Sequence, residues 1–167
     1  MCVSFREPPA CRTLVAGRNG EAVAALERAA AGALAEPGIV LWGPPGAGKS
    51  HLLSATVAAS RSAGRPAWHC DSPASVPRAE PAPGTLVAVD DVGTADAEGQ
   101  ARLFTLYNVL RDRGGTLVTA AETPPARLAL RDDVRTRLAW GLVYEVVPLT
   151  DAEKAGLKVR TVKTSYE

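Results

Sequence analysis

Eight consecutive residues, Gly43-Pro44-Pro45-Gly46-Ala47-Gly48-Lys49-Ser50, have the types and spacing to hold an anion. Lys49 is the only lysine in the first 153 residues; every other Lys/Arg position before Lys154 is arginine. The stretch fits G-x-x-x-x-G-K-[ST]. Its glycines let backbone N–H groups turn inward without a Cβ clash. A helix opening at its end would add unpaired N–H groups and a partial positive charge. A lysine brings a point charge on a flexible stem to the outer phosphates, a task for which arginine's planar fork is poorly shaped. The Ser50 hydroxyl suits a Mg²⁺ ligand, and His51 follows it in the same turn. The alternative is a glycine- and proline-rich turn with an incidental lysine. It does not explain why a chain that otherwise writes arginine keeps lysine here. The expected ligand is ATP or ADP with Mg²⁺, contacted by Gly43, Pro44, Pro45, Gly46, Ala47, Gly48, Lys49, Ser50 and His51.

Two adjacent carboxylates, Asp90 and Asp91, end the run TLVAVDDV. A carboxylate at the C-terminal end of a strand can hold Mg²⁺ through water, the role assigned to Asp90. Asp91 is a candidate to orient or activate an attacking water. The bland alternative for Asp91 is a solvated strand end or a helix cap.

These groups need elements to position them. Residues 1–12 are irregular, with Pro8 and Pro9 against a helix. From Asn19, read as an N-cap, GEAVAALERAAAGALAE has helical spacing and is stopped by Pro37 and Gly38. IVLW, residues 39–42, reads as a buried strand leading into the glycines. KSHLLSATVAASRSAG reads as the following helix, with Leu52, Leu53, Thr56, Val57 and Ser60 marking its turns. PAWHC (66–70) is a weak strand, and 71–84 is a loop interrupted by Pro73, Pro77, Pro81 and Pro83. TLVAVDDV (85–92) and TLVTAA (116–121) are apolar strands flanking a helix marked by Leu103, Leu106, Tyr107 and Leu110. PPARLALRDDVRTRLAWG (124–141) supplies one or two short helices before a final strand, LVYEVVPL (142–149). The alternation predicts an α/β three-layer αβα sandwich around a mostly parallel five-stranded sheet.

Composition narrows the function classes. Hydrophobic residues make up 46% and charged residues 22%, as in an ordinary globular domain. The formal net charge is +1, so no global electrostatic argument favours nucleic acid or membrane. No apolar run reaches the ~20 residues of a membrane span. MCVSFREPPACRT shows neither a continuous apolar stretch nor a cleavage site, so no signal peptide is expected. Cys2, Cys11 and Cys70 lack metal or disulfide spacing and read as free thiols in a reducing cytoplasm.

The residues then resemble a known family. LVAVDDV looks like the paired-aspartate motif of the initiator branch of the AAA+ superfamily. LWGPPGAGKSHLL, RLFTLYNVLRDRG, PPARLALRDDVRTRLAWG and PLTDAEK resemble their counterparts in the Hda family, regulatory inactivators of the replication initiator DnaA. The likeness covers roughly residues 13–155. It implies a P-loop NTPase (AAA+) core over 13–150 and a lid helix beginning at 151. It implies an arginine finger at Arg137 in TRLAWG, pointing into a neighbouring subunit's nucleotide, with Arg135 the weaker candidate. It places Val15 and Gly17 of LVAGRN against the adenine and a sensor region near Ala120–Glu122, where the usual polar residue is replaced or shifted. The implied function is negative regulation of replication initiation, by promoting hydrolysis of DnaA-bound ATP. DnaA is the implied partner, and a homo-oligomer is possible. Family members carry a clamp-binding segment that MCVSFREPPA does not show.

Two other readings share the nucleotide site. A helicase-loader-like ATPase would favour an aromatic-interleaved basic patch for DNA, which the sequence does not display. A self-contained small P-loop kinase or ATPase needs an acceptor site and a closing lid. GLKVRTVKTSYE differs in character from the body, with Lys154, Lys158 and Lys163 clustered. The expectation is a divergent or truncated tail over 151–167, testable by sequencing the genomic locus.

Overall fold

The computed structural model describes residues 19–148. Five strands form one sheet: β1 (Gly38–Trp42), β2 (Ala67–Cys70), β3 (Leu86–Val89), β4 (Thr116–Ala121) and β5 (Leu142–Glu145). Their spatial order is β2-β3-β4-β1-β5, and every pairing is parallel. Four α-helices cover it: α1 (Gly20–Ala31), α2 (Lys49–Ser62), α3 (Ala97–Asp112) and α4 (Asp132–Ala139). The expected αβα sandwich is therefore present.

A parallel sheet is buried on both faces, so its strands read as unbroken apolar runs rather than alternations. Successive side chains still point to opposite faces, and here they feed two cores. Ile39, Leu41, Leu86, Ala88, Val118 and Ala120 pack with α1 and α2. Val40, Val87, Val89, Leu117 and Ala121 pack with α3 and α4.

Local chemistry accounts for several boundaries that differ from expectation. The first helix stops at Ala31, not at Pro37-Gly38. Gly32 takes φ 76°, and the N–H groups of Gly32 and Ala33 bond back to Ala29 and Arg28, a glycine stop that ends the helix despite the apolar residues beyond it. Asn19 occupies the N-cap position but makes no side-chain cap bond. Its amide instead clamps the Val147 backbone, accepting from Val147 N at 2.9 Å and donating to Val147 O at 3.2 Å. In contrast, Asp96 caps α3 through Gly99 N at 2.8 Å. The strand expected over 85–92 ends at Val89, and the one expected over 142–149 ends at Glu145. Residues 1–18 and 149–167, with Val15, Gly17 and the expected lid helix, lie outside the described residues.

Gly141, between α4 and β5, is set by a close backbone approach. A Cβ there would lie 2.1 Å from the carbonyl oxygen of Gly38, at the start of β1. Neither partner is a flexible side-chain tip, so the backbone itself must shift. Gly141→Ala is expected to cost about 1–3 kcal/mol and lower the thermal midpoint by roughly 3–10 °C, read by circular dichroism.

Candidate nucleotide site

The glycine-rich stretch connects β1 directly to α2. The chain leaves Trp42, Gly43 N bonds to Ala121 O at 3.1 Å, and helix begins at Lys49. Gly46 and Gly48 sit at φ 80° and 105°, conformations costly to a residue with a Cβ. Gly43 packs against the end of β5, where a Cβ would meet Val146 O at 2.5 Å. Pro44, Pro45 and Gly46 are exposed while Ala47 is buried at the base of the loop.

Lys49 is only 8% exposed. Its ammonium donates to Gly43 O at 2.5 Å and Pro44 O at 2.9 Å. No carboxylate pairs with it among the described residues. A buried charge without a counter-ion is costly, and two carbonyl dipoles balance it only in part. An anion in the loop would complete the balance.

Ser50 and Asp90 meet although their strands are not neighbours. β4 lies between β1 and β3, a separation of about 10 Å at ordinary strand spacing. The Ser50 hydroxyl, projecting from the first turn of α2, nevertheless donates to Asp90 Oδ2. The other carboxylate oxygen accepts from Asp91 N at 2.9 Å. A hydroxyl and a carboxylate beside a phosphate cradle are the donor set Mg²⁺ takes, since it keeps several waters and needs few protein oxygens. The residues present therefore fit a magnesium–phosphate ligand.

Asp91 is exposed and takes the left-handed conformation, φ 50° and ψ 45°, the only described non-glycine residue to do so. It stands at the head of a short 3-10 turn, Val92–Thr94, and its carbonyl accepts from Thr94 N at 3.0 Å and Thr94 Oγ1 at 2.7 Å. Its carboxylate caps nothing. Asp tolerates this backbone better than most residues. The effect is to turn the chain away directly after Asp90. Ala120 and Ala121 lie on β4 between the two halves of the site, and Glu122 follows, exposed. His51 is exposed in the first turn of α2.

Arg137 is not part of this cluster. It lies on α4, packed on the face of the sheet covered by α3. Its guanidinium carbon sits 4.1 Å from the Phe104 ring centroid and 5.2 Å from that of Trp140. Nε donates to Asn108 Oδ1 at 3.3 Å and Nη1 to Asp133 O at 3.4 Å. Hydrogen bonds from Arg131 hold the Asp133 carboxyl below its usual range. Arg135, the weaker finger candidate, is tied down by Asp132 and by Leu128 O at 3.2 Å. Trp140 beside Arg137 is 49% exposed.

Sequence reasoning missed Asn19. Its side chain fixes the chain entering α1 to Val147, one residue from the Val146 carbonyl that abuts Gly43. An asparagine before a helix signals a cap, and nothing local distinguishes a long-range clamp.

No family model matches the chain. Among solved structures, domain III of the replication initiation protein DnaA from Thermotoga maritima aligns with a TM-score of 0.75 at 19% identity, covering 93% of this chain and 74% of that one. AMPPCP-bound DnaA from Aquifex aeolicus aligns with a TM-score of 0.70 at 21% identity, over 87% of this chain and 51% of that one. The chain thus spans about half the length of the longer initiator chains that it matches. Protein NMB1076 from Neisseria meningitidis is 44% identical, with a TM-score of 0.53, over 66% of this chain and 74% of that one. At that identity and coverage the chain belongs to the same family as NMB1076, and its five-stranded parallel α/β sandwich is the fold of the AAA+ P-loop NTPases.

Proposed function

We propose that this chain is an AAA+ nucleotide-binding regulator of replication initiation, acting in the cytoplasm. In this reading it holds ATP or ADP with Mg²⁺ and promotes hydrolysis of nucleotide on the initiator DnaA. The observation that carries nucleotide binding is Lys49: a buried ammonium without an acidic partner among the described residues, at the junction of β1 and α2. Gly43–Ser50 cradle the phosphates through backbone N–H groups, and Lys49 turns from its two carbonyls to the outer phosphates. Ser50 and Asp90 hold Mg²⁺, whose charge offsets that developing on the phosphates. In this reading Val15 and Gly17 contact the adenine, as the family resemblance implies.

Arg137 is the trans-acting group. It is partly exposed and held by an aromatic face and two long hydrogen bonds rather than a carboxylate. A guanidinium so held is available to a phosphate on another subunit. The likeness in fold to DnaA domain III supports DnaA as that subunit; a homo-oligomer would use the same surface. The test is ATP turnover on DnaA with and without this protein. Stimulation is expected, and its absence with the full-length chain would overturn the reading.

Asp91 has a separable role in orienting water. Its carboxylate has no hydrogen-bond partner among the described residues, so Asp91→Asn is expected to move the thermal midpoint by only about 2 °C. Turnover of the chain's own nucleotide should fall roughly 100-fold. Unchanged single-turnover hydrolysis would remove Asp91 from the mechanism.

A further inference from the structure

Among the described residues only two large hydrophobic side chains are exposed, Trp140 at 49% and Val143 at 39%. Single exposed apolar residues are ordinary on a protein surface, but these two share one side of the molecule. Trp140 closes α4 and packs edge-on against Tyr107 of α3, with ring centroids 6.0 Å apart. Val143 is in register with Val40 of β1, which is buried in the core beneath α3 and α4. Matched positions of paired strands point to one face, so Val143 stands on the α3/α4 face. It is exposed there because β5 is the edge of the sheet and the short α4 does not cover it.

The charges around Trp140 are of one sign and loosely compensated. The guanidinium carbons of Arg137 and Arg111 lie 5.2 and 5.9 Å from its ring centroid. Arg111 meets a carboxylate only at 4.0 Å, on Asp112. Arg137 forms no ion pair among the described residues. Any phosphate that reaches Arg137 therefore arrives within one side chain's length of Trp140. The subunit carrying that phosphate must lay its surface across the indole. Tryptophan and arginine are also the residue types on which interface energy concentrates.

We propose that Trp140 and Val143 are the apolar anchor that docks this chain on the nucleotide-bearing face of DnaA, with Arg111 and Arg137 meeting the anionic groups of that face. The inference rests on the reading of Arg137 as the group that acts in trans. It adds a separate energetic role: the anchor sets affinity, and the arginine sets rate.

The test uses the full-length protein and ATP-loaded DnaA. Analytical ultracentrifugation reads complex formation, and single-turnover hydrolysis reads stimulation. Trp140→Ala is expected to weaken the complex at least ~30-fold, about 2 kcal/mol. The concentration giving half-maximal stimulation should rise by the same factor, while the rate at saturation falls less than ~3-fold. Arg137→Ala should show the reverse split. Because Trp140→Ala also removes packing on Tyr107, Val143→Glu serves as a second variant at an exposed edge position, where charged side chains are well tolerated. It should retain the thermal midpoint and weaken the complex about 10-fold. A wild-type chain that neither binds nor stimulates DnaA would overturn the functional reading and the anchor together. Wild-type binding left undiminished by both variants would overturn the anchor alone. So would a loss confined to the saturating rate, which would make Trp140 a support for Arg137. Self-association abolished by Trp140→Ala with DnaA affinity unchanged would assign the patch to a second copy and overturn the proposal.

Discussion

Lys49→Ala is expected to remove measurable Mg-nucleotide binding in calorimetry while the chain remains folded. Among the described residues, Lys49 is the cation placed at the glycine-rich loop, and its ammonium already sits within hydrogen-bond reach of two loop carbonyls. Charge-assisted bonds are each worth about 1.5–3 kcal/mol, so losing contact with two phosphate groups weakens binding by roughly 100-fold or more. The effect on stability should be small, because two opposed changes meet. Truncation leaves Gly43 O without its side-chain donor, while Pro44 O keeps its bond from Ala47 N at 3.2 Å. It also removes a buried charge that no carboxylate balances. Lys49→Arg separates charge from shape: it keeps the positive charge, but a planar fork does not fit a pocket that leaves the native side chain only 8% exposed. Both variants should therefore fail to bind. Wild-type affinity in Lys49→Ala would take the phosphate site away from this loop.

Arg137→Ala is expected to abolish stimulation of DnaA-bound ATP hydrolysis, a loss on the order of 10³-fold or more in single-turnover rate. The geometry argues that the side chain can be released. Its contact with Phe104 is a cation–π interaction worth about 0.5–1 kcal/mol at an exposed site, and its hydrogen bonds are long, at 3.3 and 3.4 Å. A 10³-fold acceleration corresponds to about 4 kcal/mol, which outweighs those tethers. Arg137→Lys should recover little, since a lysine cannot present the two-pronged donor. The concentration giving half-maximal effect should change far less than the maximum, because the arginine acts on the reacting phosphate. If Arg137→Ala stimulated as well as the wild type, the trans role would pass to another residue or fall entirely.

Much of this architecture was legible before any coordinates. Residues 39–42, 67–70, 86–89, 116–121 and 142–145 lie within the expected strands because parallel strands buried on both faces read as short apolar runs. The strand–loop–helix junction around Lys49 was equally clear, since glycine placement and the start of a helix are decided within a few residues. Errors came where two local signals competed. At the end of α1, Leu34 and the alanines continue a helical pattern, yet the left-handed turn at Gly32 ends the helix first. At Asn19, a residue suited to capping found a stronger use, satisfying both backbone groups of Val147 across the fold.

The sequence by itself determined the types of group at the site: a lysine among glycines at a helix start, and a carboxylate pair after an apolar run. These follow from local backbone sterics and hydrophobic patterning, which neighbouring residues control. Only the tertiary structure decided which groups meet. Strand order is set by packing helices on both faces of the sheet, and it inserts β4 between β1 and β3. That insertion requires α2 to carry the Ser50 hydroxyl across to Asp90. It leaves Lys49 with carbonyls rather than an acid, and it puts Gly141 hard against Gly38. Such contacts join residues far apart in the chain, so their energies depend on the whole packed sheet and leave no local pattern to read.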